Sequence, residues 1–326
     1  MPQGKNDLRA LRECADEGKP ISAELAQAVL QSEAGDLPDI LAAANAMRRR
    51  FFGEAVHLCS IVNAKCGLCG EDCAFCAQAS DHNTGVTSFP LLGKDQIVDA
   101  YRSASDLPVG HFGVVASGKR LSRENLDRVC QAVRENREEG PHWCGSLGCL
   151  RQDQLVALKN AGLKRFHHNL ETAESFFPKI CTTHTYADRL ATVSAVKEVG
   201  LELCCGGILG LGESLEQRVE FALALARVQA DVIPLNFLIP IKGTQLADRQ
   251  PMKPIDILRT VAVFRMLHPR AEIKVCAGRT LLRDLQSMIF FAGATGMMIG
   301  PLLTVAGRDV DDDLQMLRDL EVVLAD

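Results

Sequence analysis

The sequence predicts an α/β fold, a (β/α)8 TIM-type barrel with an N-terminal helical extension. Two observations carry that reading. Short apolar runs alternate with amphipathic, helix-like segments in one series, and 326 residues suit a barrel, which runs to about 250 residues before extensions. No internal repeat, low-complexity tract or Pro/Ser-rich linker breaks the series. The expected division is a helical extension over 1–52 and a barrel domain over 53–326.

Taken in order, a strand over Val56–Val62 precedes a helix over Lys94–Ser105, Val109–Val115 precedes Ser122–Arg137, and His142–Leu147 precedes Arg151–Ala161. Further strands are expected over Lys164–Asn169, Leu201–Leu209, Asp231–Phe237, Glu272–Cys276 and Thr295–Ile299, with helix-like segments between them. Eight β-α units in one series favour a closed barrel over an open doubly wound sheet.

Net charge is −5, and no run of Lys or Arg exceeds Arg48-Arg49-Arg50, which argues against a nucleic-acid partner and for small molecules. No apolar stretch approaches the roughly 20 residues that would span a bilayer, and Met1–Asp7 has no apolar core. A cytoplasmic protein with reduced thiols and no membrane partner is expected.

The chemistry is announced by four cysteines between Cys66 and Cys76, the last three spaced C-x3-C-x2-C. Three thiolates on one short loop suit three corners of an iron–sulfur cubane, leaving the fourth iron open to a small molecule. Structural zinc prefers two C-x2-C pairs a dozen or more residues apart, and a disulfide framework suits small secreted chains. A redox dithiol is the remaining alternative. The knot follows the first strand, which places it at the C-terminal rim of a barrel, where active sites lie.

From Val56 onward the chain resembles the radical S-adenosylmethionine enzymes, and within them the biotin synthase family. The resemblance rests on Leu58–Lys65 running into Cys69-x3-Cys73-x2-Cys76-Ala77-Gln78-Ala79-Ser80. It continues through His167–Thr172, Thr182–Leu190, Cys204–Glu213, Pro234–Phe237 and Lys242–Thr244 in that order. It implies that Cys69, Cys73 and Cys76 ligate a [4Fe–4S] cluster whose open iron binds S-adenosylmethionine. It further implies that a 5′-deoxyadenosyl radical abstracts hydrogen from dethiobiotin, and that an auxiliary iron–sulfur cluster, [2Fe–2S] or larger, donates the sulfur of biotin. An electron donor such as flavodoxin or ferredoxin and a homodimer are implied as well.

By the same resemblance Asn169, Glu171, Arg189 and Asn236 bind cofactor and substrate. Asn169 and Glu171, two apart at a strand end, can face one side of the mouth; the family usually has Asp where Glu171 stands. The plainer readings are helix capping for the first two, a solvated helix face for Arg189 and a turn amide for Asn236. Two glycine-bearing segments are decoys. Gly206–Glu213 lacks the G-x-G-x-x-G register and is read as close approach of backbone to ligand, and Gly113–Arg120 has Arg120 where a P-loop needs Ser or Thr.

The departures from the family concern the auxiliary cluster. Cys144 and Cys204 align with two of its usual ligands, whereas Gly113 stands in place of a third cysteine and Lys274 in place of an arginine. Strand alternation points Cys276 the same way as Lys274 and turns Cys205 away from Cys204. Cys59, Cys144, Cys204 and Cys276 are therefore expected to form a replacement cage, as in a divergent branch of the family with a larger auxiliary cluster. Burial as small hydrophobes is the alternative for Cys59 and Cys276, and the preferred reading for Cys66, Cys130, Cys149 and Cys181. Another radical enzyme of similar build, a hydrogenase-cofactor maturase or an amino-acid mutase, and an electron-transfer protein closed by Cys66 remain the competing functions.

Overall fold

In the computed structural model, which describes residues 3–136, 140–305 and 307–325, the helical extension is α1 (Gln3–Glu17), α2 (Ala23–Gln31) and α3 (Leu37–Phe52). Barrel elements then follow as β1 (Ala55–Lys65), α4 (Lys94–Ser105), β2 (His111–Ala116), α5 (Arg123–Glu135), β3 (His142–Ser146), α6 (Gln152–Ala161), β4 (Arg165–His167) and α7 (Tyr186–Val199). The second half comprises β5 (Glu202–Cys204), β6 (Gly207–Leu209), α8 (Leu215–Arg227), β7 (Val232–Phe237), α9 (Pro254–Leu267), β8 (Glu272–Val275), α10 (Met288–Phe291), β9 (Gly296–Met298), α11 (Val310–Asp319) and β10 (Val323–Ala325). The helix end expected at Arg137 lies outside the described residues, as do Met1, Pro2 and Asp326.

All pairings between these strands are parallel, and the sheet closes on itself. β1 pairs β2 with Cys59 opposite His111, and on its other side pairs β9 with Cys59 opposite Met298. Around the ring run β1, β2, β3, β4, β5 with β6, β7, β8 and β9. The strand expected over Leu201–Leu209 is two short strands on one barrel position, because the chain breaks at Cys205-Gly206 and both pieces pair with β7. β10 was not foreseen; it lies beside the first residues of β1, with Ala55 opposite Val323.

Local chemistry sets the boundaries. Ser22, Ser122, Thr185 and Ser214 accept from backbone N–H groups in the first turns of α2, α5, α7 and α8, and Gly162 and Gly200 end α6 and α7 in the left-handed conformation. Every residue of α9 from Ile257 to Leu267 is buried, Arg259 and Arg265 included. A barrel helix normally wets one face; here α2 and α3 pack on α9 from outside. The Ile21 amide also donates to the Met266 carbonyl at 3.1 Å. Among the described residues Arg265 has no carboxylate partner, and it donates to the carbonyls of Gly293, His268 and Pro269 at 2.8–3.1 Å.

Inside the barrel the strand starts carry charge. Arg165 bonds Glu202 at 2.7 Å and Glu272 at 3.3 Å, and Lys274 lies 3.3 Å from Glu272. This network closes the floor beneath the cavity described next. Among the described residues, no helix is long and apolar enough to cross a membrane.

Candidate active site

β1 runs to Lys65, three residues past its expected end, and delivers the knot to the rim of the mouth. Cys66 is buried and exchanges both backbone hydrogen bonds with Phe89. Gly67 then turns the chain at φ 71°, where a Cβ would lie 2.1 Å from Ser88 Oγ. The cysteine loop is pinned from several sides. Cys69 N–H donates to the Gln78 carbonyl, Cys76 N–H to the Cys73 carbonyl, and Ala74 N–H to the Ile180 carbonyl, at 3.1, 2.8 and 2.8 Å. Asp72 latches the loop to the one after β4: its carboxylate accepts from the amides of Thr182 and Thr183 at 2.9 and 3.2 Å. Cys69, Cys73 and Cys76 remain partly exposed.

A cavity of about 370 Å³ opens inside the barrel, in the range of small-ligand sites. The four cysteines of the expected cage, Cys59, Cys144, Cys204 and Cys276, all line it, as do Lys274 and Gly113. Cys205 faces the other way, wholly buried in the core. Burial pushes the Cys144 thiol up to about 12 and raises Cys204 and Cys276 as well; Arg165 opposes it most at Cys144 and Cys204, and Lys274 opposes it at all three. Lys274 is 2% exposed, and its ammonium is paired with the Glu272 carboxylate at 3.3 Å.

Neither Cys69, Cys73 and Cys76 nor any three of the barrel cysteines bring their sulfurs within 4.8 Å of one another. One tetrahedral zinc at about 2.3 Å from each thiolate would draw them to about 4 Å apart. Both sets therefore fit a polynuclear iron–sulfide group better than a single ion. A buried lysine cation beside four thiols also suits an anionic cluster.

At the upper rim Asn169 and Glu171 come together as expected, and both line the cavity with Asn236 and Cys76. Asn169 donates to Glu171 at 3.2 Å and accepts from the Gly206 amide at 3.1 Å, so no helix cap is involved. Glu171 sits at φ 69°, a left-handed conformation costing about 1 kcal/mol outside glycine. Arg189 does not reach the cavity wall. It lies buried behind the pair, 3.0 Å from the Asn169 carbonyl and 3.3 Å from the Glu171 carboxylate, so it holds them in place. Asn236 donates to the Gly207 carbonyl and accepts from the Ala277 amide, both at 3.1 Å.

The close approach expected at the glycines is to backbone rather than ligand. A Cβ on Gly206 would lie 2.0 Å from the Pro234 carbonyl oxygen, and one on Gly207 would lie 2.2 Å from that of Glu171. Sequence reasoning missed several residues. His111, His167 and Arg165 also line the cavity, and His167 Nδ1 lies 3.3 Å from Cys204 Sγ; strand alternation through Asn169 and Gly113 could have found them. Cys181, assigned to the core, is buried, but it lies against Cys73 and His184. The C-x2-H spacing of Cys181 and His184 was the available signal.

A family model for the radical SAM superfamily matches residues 66–225, and one for the biotin and thiamin synthesis associated domain matches 234–323. A biotin synthase of Maridesulfovibrio salexigens is 49% identical over 317 residues, 97% of each chain. One of Trichlorobacter lovleyi is 48% identical over 95% of this chain and 94% of its own. Among solved structures, methylornithine synthase superposes with a TM-score of 0.85 at 17% identity over 97% of both chains. The [FeFe]-hydrogenase maturase HydG superposes with 0.84 at 15% identity, over 98% of this chain and 75% of its own. At such identities the two structures speak for the fold alone.

Proposed function

The chain belongs to the biotin synthase family, and from that premise we propose how its residues divide the work of converting dethiobiotin to biotin. Cys69, Cys73 and Cys76 hold the [4Fe–4S] cluster at the rim, and Cys59, Cys144, Cys204 and Cys276 hold an auxiliary cluster inside the barrel. When bound, the first supplies one-electron cleavage of S-adenosylmethionine and the second supplies sulfur.

One observation carries this reading: the four barrel thiols, the Cys76 end of the knot, and Asn169, Glu171 and Asn236 all face one cavity. Asn236 has one amide hydrogen and one carbonyl lone pair committed to neighbouring strands, which leaves one donor and one acceptor for a ureido ring. Asn169 and Glu171 orient S-adenosylmethionine hydroxyls, with Arg189 fixing the carboxylate. Lys274 offers charge to the auxiliary cluster where the family more often has arginine. The apolar barrel wall around them, Ile61, Val115, Ile208 and Val232 among it, excludes water from the reacting carbons.

The helical extension over 1–52 serves as a brace on α9, and 53–326 is the catalytic unit. A flavodoxin or ferredoxin supplies electrons, the protein works in the cytoplasm, and it forms a homodimer. Iron and sulfide analysis after anaerobic reconstitution tests the cluster assignment. Two clusters per chain are expected, with Cys69→Ala/Cys73→Ala/Cys76→Ala losing one and Cys144→Ala/Cys204→Ala losing the other. A single cluster in the unaltered chain overturns it.

A further inference from the structure

Outside the barrel cavity a second group of donors is assembled against the knot. Cys73 Sγ, Cys181 Sγ and a ring nitrogen of His184 all lie within 4.8 Å of one another, the spacing that the two cysteine sets of the active site lack. Cys181 Sγ is 3.2 Å from His184 Nδ1 and 3.2 Å from Asp72 Oδ1. Glu71 reaches the same His184 Nδ1, and His184 Nε2 lies 3.8 Å from Cys181 Sγ. Cys181 and His184 are buried, yet Thr182 and Thr183 between them are exposed, which gives an ion a short way in. The Asp72 latch to Thr182 and Thr183 keeps both loops in register, and Phe177 packs edge-on against the His184 ring at 5.7 Å. These supports give the donors fixed positions.

We propose that in the cluster-free chain Cys73, Cys181 and His184 form a mononuclear site for a thiophilic divalent cation, zinc or ferrous iron, with a water as the fourth donor. Two thiolates, one imidazole and one water are a donor set such ions take tetrahedrally, at about 2.0–2.3 Å from the protein ligands. Binding displaces one proton from each thiol to solvent, and no electron is transferred. Because Cys73 serves both this site and the [4Fe–4S] cluster, the two exclude each other, and zinc held here blocks cluster assembly. That competition rests on the reading of Cys73 as a cluster ligand; the metal site itself does not.

The test is anaerobic titration of the full cluster-free chain with Co²⁺, read by thiolate-to-cobalt charge transfer, with X-ray absorption on the zinc-loaded chain. One ion per chain is expected, with two sulfur and two nitrogen or oxygen neighbours. Cys181→Ser and His184→Gln should each weaken binding by about 10-fold or more, whereas Cys69→Ala and Cys76→Ala leave it in place. The X-ray absorption result needs no variant, so it stands should Cys181→Ser misfold. A shell with three sulfurs, or loss with Cys69→Ala and not with Cys181→Ser, places the ion on the knot and overturns the site. Reconstitution of the cluster should abolish cobalt binding. Cobalt with the expected shell that survives reconstitution would retain the metal and remove Cys73 from the cluster.

Discussion

His268 ends α9 beneath the helical extension, and its burial makes stability fall in mild acid by a calculable amount. Burial, seconded by the neighbouring Arg265, lowers its imidazole to about 3. The ordinary value, which the unfolded chain recovers, is about 6.5. A depressed histidine pKa means that the folded chain refuses a proton the unfolded chain accepts, so the stabilisation is complete above about pH 6.5 and drains as pH falls below it. Between pH 7.5 and 5.5 the loss is about 1.4 kcal/mol for this one residue. His111 in the barrel, lowered to about 2 chiefly by burial and then by Arg165 and Lys274, adds a similar loss.

With a urea slope of about 3 kcal/mol/M for a chain of this size, each of these two lowers the midpoint by about 0.5 M over that interval, and His57, His167 and His168, lowered by burial as well, add to the total. His268→Gln removes one titrating group and should reduce the shift by about 0.5 M. Urea unfolding of the cluster-free chain at the two pH values checks this. Equal shifts in the two proteins would refute the claim that burial of His268 is the cause.

Four further outcomes follow from packing and charge. Asp313, fully buried, takes Arg279 bidentately, with one bond of 2.9 Å; Asp313→Ala strands the Arg279 cation and should cost about 3–5 kcal/mol in urea unfolding. Gly207→Ala drives a methyl into the Glu171 carbonyl and should prevent folding or lower thermal stability steeply. Gly113→Ala meets only the Ile61 side chain at 3.1 Å and should leave the melting temperature within a few degrees. Arg189→Met frees the Glu171 carboxylate and should raise the Kd for S-adenosylmethionine about 10-fold to 100-fold in equilibrium dialysis of the reconstituted chain. An unchanged Kd would return Arg189 to a purely structural role.

The barrel was legible because its strands alternate with helices at nearly even spacing, and seven of the eight expected strands overlap single strands in place. The eighth split because two glycines at 206 and 207 let the backbone run against Pro234 and Glu171, a tertiary contact no local pattern reveals. Which cysteines face the cavity was readable for a simple reason: a period of two along a strand fixes which side chains share the interior, so Cys276 followed Lys274 and Cys205 opposed Cys204. The latch of Asp72 on Thr182 and Thr183, and the meeting of Cys73 with Cys181, join residues more than 100 positions apart. Such contacts depend on how two rim loops fold toward each other, which periodicity does not encode. Arg189 shows the same limit: the family resemblance singled it out, but only the fold shows that it stands behind Glu171 rather than in the cavity.

The central claim is that the barrel cysteines deliver sulfur to dethiobiotin in the cavity they share with Asn169, Glu171 and Asn236. A single-turnover reaction tests it most directly, with the anaerobically reconstituted chain given dethiobiotin, S-adenosylmethionine and a reductant, and the products resolved by mass. The account predicts biotin and 5′-deoxyadenosine together, with biotin lost and deoxyadenosine retained in Cys144→Ala/Cys204→Ala. Deoxyadenosine without biotin from the unaltered chain would contradict it.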